Sequence, residues 1–85
     1  MTAPVAIAMI DVDHFKRYND EFGHVLGDKS LQAIAQVVKR YGRRVGDLAA
    51  RFGGEEFTLV IPGMTEDEMK AHCEALREAV EQLAI

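Results

Sequence analysis

At 85 residues, 48% of them apolar and 28% charged, the chain has room for one small domain (residues 1–85) with a marginal core. Its net charge of −4 and isoelectric point near 5.2 argue against broad electrostatic binding to a nucleic acid polymer or an anionic membrane, so phosphate-bearing ligands would need metal ions or a local basic cluster. Cys73 is the only cysteine, which excludes an internal disulfide and fits a reducing cytoplasm, and the longest apolar run, residues 5–10, is far short of the roughly 20 residues of a bilayer span and lacks the basic start and cleavage site of a signal peptide.

That run, VAIAMI, is apolar on both faces, as in a strand at the middle of a sheet, and it ends abruptly in Asp11-Val12-Asp13. Phe15, Tyr18 and Phe22 follow at helical spacing and predict a short amphipathic helix closed by Gly23. Asp28 is the expected N-cap of a second helix, which buries Leu31, Ile34, Ala35, Val38 and Tyr41 and ends at Gly42. Residues 48–52 and 55–61 predict two strands joined by Gly53-Gly54, a strong hairpin signal. In the second strand Phe57, Leu59 and Ile61 alternate with Glu56, Thr58 and Val60, and Pro62-Gly63 stops it. A last helix opens with the capping box Thr65-x-x-Glu68, has Glu66 and Asp67 in its first turn, and buries Met69, Cys73, Leu76, Val80 and Leu83.

The order is therefore β-αα-ββ-α, an α+β fold. A right-handed crossover through the helices makes the first two strands parallel, and the third runs back from the Gly-Gly tip to pair antiparallel beside the first. This is a ferredoxin-like arrangement with an antiparallel-mixed central sheet, and it brings Asp11 and Glu55 to one sheet end. Asp11, Glu55 and Glu56 would concentrate negative charge there, and such carboxylates either raise a pKa or recruit a cation. Hard oxygen ligands without a His or Cys partner suit Mg²⁺ or Mn²⁺. Spacing alone leaves two readings open: metal-assisted phosphoryl or nucleotidyl transfer, or acids that are simply solvated at a strand end.

Arg51-Phe-Gly-Gly-Glu-Glu-Phe57 resembles the signature of the GGDEF family, the diguanylate cyclases, in its GGEEF form. Residues 10–28, IDVDHFKRYNDEFGHVLGD, resemble that family's first strand and helix, and Arg44-Val-Gly-Asp47 resembles its RxxD inhibitory motif at the usual distance before the glycines. The likeness runs from about residue 5 to residue 83 and implies a partial GGDEF domain of nucleotidyl-cyclase palm type. It further implies condensation of two GTP into cyclic di-GMP with release of pyrophosphate, by two-metal catalysis in a homodimer whose protomers each hold one GTP.

The residues would divide the work as follows. Asp11, the Val12 carbonyl, Glu55 and Glu56 hold Mg²⁺ or Mn²⁺. Asn19 and Asp28 hydrogen-bond guanine, and an Asp suits guanine's N1-H and N2-H₂ donor pair. The backbone amides of Phe15 and Lys16, with the lysine charge, face the triphosphate. Gly53 and Gly54 lie where base and sugar come close. Arg44 and Asp47 form an allosteric product site, against the plainer reading of a surface ion pair worth under ~1 kcal/mol. Asp28 as a cap and Asp28 as a guanine ligand compete for the same oxygens. Asp13 and Asp20 read as structural or exposed, Arg51 as supporting the site or its strand, and His14, His24 and His72 have no metal spacing.

The family pattern also includes an opening helix with a D-x-L-T-G-L-x-N-R-like segment and, after the last helix found here, a strand and a helix whose Lys and Arg hold phosphates. The chain is thus expected to be a piece of a larger domain, truncated at both ends, the cytosolic part of a larger signalling protein. Three functions compete: a cyclase; an inactive module that binds GTP or cyclic di-GMP; and a ferredoxin-like partner-binding domain without nucleotide.

Overall fold

The structure, a computed structural model, describes residues 4–12, 15–51, 53 and 55–83, leaving out the side chains of Phe15, Lys16, Tyr18 and Asn19. The elements follow in the order β1 (Val5–Asp11), α1 (Phe15–Phe22), α2 (His24–Arg40), β2 (Leu48–Arg51), β3 (Glu56–Pro62) and α3 (Glu66–Glu81). The strands form one sheet in the order β1-β3-β2, with both neighbouring pairs antiparallel. β1 and β2 therefore run in the same direction, separated by the strand that returns between them.

The alternation in β3 decides which face carries the core. Phe57, Leu59 and Ile61 are buried against Leu31, Ile34, Val37 and Val38 of α2 and Met69 and Leu76 of α3, with Ala6 contributed by β1. Apolar positions on α2 recur at helical spacing, so a single stripe reaches the sheet. Ala35 and Tyr41, expected within that stripe, lie at its half-buried margin. The opposite sheet face is open: Ile7 is 64% and Met9 75% exposed, beside the exposed Val5 and Leu48. α3 keeps its acid-rich side in solvent, where Arg77 pairs with Glu74 and Glu81 and Lys70 with Glu66. Burial pushes the Cys73 thiol up, away from the reactive thiolate.

Two boundaries differ from the sequence reading. α2 begins at His24 with Gly23 as its N-cap residue, so Asp28 is not a cap but lies inside the helix. Gly23 alone makes the break between α1 and α2, with a φ of 89° at which an L side chain would be strained. β3 begins at Glu56, and Glu55 belongs to the turn, in which the Glu56 amide donates to the Gly53 carbonyl at 3.1 Å. Gly53 takes φ 65° there, while Phe52 and Gly54 lie outside the described residues.

Gly42 answers to close packing. A Cβ on it would stand 2.6 Å from Leu59 Cδ1 and 3.3 Å from the Ala49 methyl, where the end of α2 crosses the sheet. Among the described residues α1 packs on α2 alone, so the α1–α2 corner projects past the sheet. The molecule's extents are 50 × 21 × 17 Å.

The capping box of α3 is complete. The Thr65 amide donates to Glu68 Oε1 at 2.9 Å and the Glu68 amide to Thr65 Oγ1 at 3.3 Å. The bond from the Thr65 backbone, then the Thr65 hydroxyl contact and the nearby Arg44 charge, hold the Glu68 carboxyl below its usual range. A carboxyl whose pKa is lower folded than unfolded contributes stability above the ordinary carboxylate range and loses it as pH falls through the folded pKa. Thermal melts should therefore show Glu68→Ala below wild type near neutral pH, with the gap closing in acid. Leu59→Ala should cost about 2–5 kcal/mol by cavity formation, and Gly42→Ala about 1–3 kcal/mol by overpacking, both measured by denaturant unfolding.

Candidate active site

The pairing of β1 with β3 sets the site. Its register places Asp11 opposite Glu56 and Ile10 opposite Phe57, and one residue further on the Val12 amide donates to the Glu55 carbonyl at 3.2 Å. Since hydrogen-bonded and non-hydrogen-bonded pairs alternate, Asp11 and Glu56 occupy the narrow position, with Cα atoms about 4.5 Å apart and side chains on the same sheet face. Both are exposed, on the face opposite the core. Like charges directly opposite are unfavourable, and a cation between them would relieve the repulsion. Glu55, half-buried in the turn, is tied by its backbone to β1.

All three candidate carboxylates thus stand at one end of the sheet, together with Val12 and Gly53. Among the described residues no three His, Cys, Asp or Glu side chains already close into a metal cluster. The donor set nonetheless fits magnesium chemistry, which takes one or two carboxylates and completes its shell with water and substrate oxygens. Gly54, also assigned to this end by the sequence, lies outside the described residues.

α1 starts at Phe15, three residues beyond Val12. The first amides of a helix have no intrahelical partner, which applies to those of Phe15 and Lys16, and the positive end of the helix dipole lies there. The side chains of these two residues and of Asn19 are outside the description. Asp28 is exposed on α2, and with Gly23 at the helix start its carboxylate has no cap to serve. The competition between capping and ligand binding, set up by the sequence, is removed.

Arg44 and Asp47 lie elsewhere, at the start of β2 and beside Pro62, whereas the acids sit at the other end of β3. The seven residues of β3 from Glu56 to Pro62 span about 20 Å. Asp47 is turned inward, its side chain 3% exposed, and accepts from the Arg44 amide at 3.0 Å and from Arg44 Nε at 3.3 Å. Arg44 Nη2 also donates to the Pro62 carbonyl at 3.3 Å. Sequence reasoning missed that carbonyl, since a backbone acceptor leaves no signature in residue types. His72, unassigned from its spacing, has a structural place: Nε2 lies 2.5 Å from the Tyr41 carbonyl and its ring meets Tyr41 edge-on.

No helix among the described residues is long and apolar enough to cross a membrane. The chain is 45% identical over 74 residues to diguanylate cyclase DgcP of Pseudomonas aeruginosa, covering 87% of this chain and 11% of that protein. Diguanylate cyclase A of Treponema denticola is 40% identical over 81 residues, covering 95% of this chain and 22% of that protein. Among solved structures, the active GGEEF domain of a diguanylate cyclase from Vibrio cholerae superposes with a TM-score of 0.82 at 31% identity, covering 91% of this chain and 49% of that one. The GGDEF domain of DgcB from Caulobacter crescentus, solved in complex with c-di-GMP, superposes at 0.81 and 36% identity, covering 86% and 42%. The chain therefore spans under a quarter of these curated relatives and under half of these solved chains. The family described as "Diguanylate cyclase, GGDEF domain" matches residues 1–85, and the chain belongs to that family.

Proposed function

We propose that the chain contributes the metal- and guanine-binding part of a diguanylate cyclase, which joins two GTP into cyclic di-GMP and releases two pyrophosphates. The observation that carries this reading is the narrow Asp11–Glu56 pair beside the backbone-tethered Glu55, set at the same sheet end as the start of α1. Each 3′-hydroxyl oxygen attacks the α-phosphorus of the other GTP, so each GTP needs one protomer and the working unit is a homodimer. Asp11, the Val12 carbonyl, Glu55 and Glu56 would hold Mg²⁺ or Mn²⁺, which would acidify the attacking hydroxyl and neutralise triphosphate charge.

The chain's own residues do the rest. The free amides of Phe15 and Lys16 receive triphosphate oxygens at a positive helix end, and the lysine adds a charge. Asp28 accepts from N1-H and N2-H₂ of guanine, a donor pair that adenine lacks, and Asn19 completes the base contact. Gly53 and Gly54 let the sugar approach the turn without a side chain in the way. A cytoplasmic setting follows from the substrate, GTP.

Two variants test the reading. In the whole protein with GTP and Mg²⁺, Glu55→Ala and Asp11→Asn should each lower cyclic di-GMP formation on the order of a hundredfold or more, while Lys70→Gln should leave it unchanged. Calorimetric titration with Mn²⁺ should show the same two variants losing affinity. Full turnover in Glu55→Ala would contradict the metal role. Binding of GTP without product in the wild type would select the nucleotide-binding module instead.

A further inference from the structure

We propose that Thr58 is a positioning residue for the acidic end of the sheet, its hydroxyl donating to the Glu56 carboxylate and holding it toward a cation shared with Asp11. This role rests on the metal reading above; the placement of Thr58 beside the acids does not.

Register puts Thr58 on the acid-bearing face. Along β3, Glu56, Thr58, Val60 and Pro62 alternate with the buried row Phe57, Leu59 and Ile61. Their partners across β1 are Asp11, Met9, Ile7 and Val5, and on β2 Ala50 and Leu48 pair with Thr58 and Val60. Of all these side chains only those of Asp11, Glu56 and Thr58 carry an oxygen. The face therefore passes from an apolar floor to the acids, and Thr58 is its one neutral polar group.

The neighbours leave that hydroxyl one class of partner on the face. Met9 and Ala50 flank it and Val60 follows it, none with a side-chain oxygen. On the other side stand the acids, with Glu56 about 7 Å away along the strand and Asp11 about 7–8 Å away on the diagonal. Thr58 is half-buried, and among the described residues its hydroxyl makes no hydrogen bond.

Strand packing does not call for the oxygen. Threonine and valine are both β-branched and both favour strands, and Val60 fills the next place on the same face. What the oxygen adds is a donor. An ionised carboxylate only accepts, and its two oxygens offer about four lone-pair sites, so Glu56 can turn one oxygen to a cation and accept a hydrogen bond on the other. Asp11 and Glu56 are both exposed, and a donor on their own face disfavours rotamers that lead away from the shared position. Carboxylates that ligate metals are themselves hydrogen-bonded, and losing the outer partner typically costs about 10–100-fold in metal affinity or activity.

The test is a calorimetric titration of the whole protein with Mn²⁺ alone, repeated for Thr58→Val and Thr58→Ser. Thr58→Val should bind about tenfold more weakly at an unchanged melting temperature, while Thr58→Ser returns to within about threefold of wild type. In turnover of GTP, Thr58→Val should raise the Mn²⁺ concentration at half-maximal rate, with the rate at saturating Mn²⁺ kept within about twofold. Wild-type affinity in Thr58→Val overturns the role. Equal weakening in Thr58→Val and Thr58→Ser also overturns it, because the loss then comes from packing and not from the hydroxyl. If wild type and Glu55→Ala bind Mn²⁺ alike, the metal reading itself fails and the role of Thr58 falls with it.

Discussion

Antiparallel pairing of β1 with β3 in one register is the constraint from which the candidate site follows. Asp11 and Glu56 are 45 residues apart in the chain, and Val12 and Glu55 are joined only because the ladder continues one step past the last strand residue. Because side chains alternate strictly along a strand, a slip of one residue would carry Glu56 to the core face and Phe57 to solvent. The buried row Phe57, Leu59 and Ile61 opposes such a slip, since it would expose that row. The core thus indexes the acids: apolar side chains on one face of β3 determine where carboxylates stand on the other.

The same division separates rigid from projecting parts. The sheet end that carries the acids is anchored by α2 and α3 through a well-buried core, while among the described residues α1 leans on α2 alone. Asn19 and Asp28 are therefore placed on a helical corner held by fewer contacts than the carboxylates. At the other end of β3 Arg44 bonds to Asp47 and to the Pro62 carbonyl, so the two motifs that the sequence singles out stand at opposite ends of one strand.

Much of this was legible in residue order, for identifiable reasons. Apolar character marked β1 as a strand, although it stands at the edge of the sheet with Ile7 and Met9 exposed and not in its middle; period-two alternation marked β3, and the Thr65–Glu68 capping box marked the start of α3, where both reciprocal bonds are present. What escaped the reading was decided by single residues in tertiary context. Asp28 carries the chemistry of an N-cap, yet the helix had already started at His24 because one glycine at positive φ suffices to turn the chain. Glu55 has the look of a first strand residue, yet the Gly53 turn closes onto the Glu56 amide and leaves Glu55 within it. Arg44 and Asp47 spell a ligand motif in sequence, but the burial of Asp47 and the capture of the Pro62 carbonyl depend on how the loop folds back. Gly42, read as a helix stop, is required by its approach to Leu59 and Ala49.

The most direct check on the metal site proposed at the β1–β3 end is a map of where a paramagnetic cation sits. In backbone-resolved NMR spectra of the whole protein, adding Mn²⁺ with GTP should broaden the amide signals of Val12, Glu55 and Glu56 first. Those of Asp47 and Gly63, at the opposite end of the sheet, should stay sharp. Broadening centred on the acidic face of α3, with Val12 and Glu55 unaffected, would contradict it.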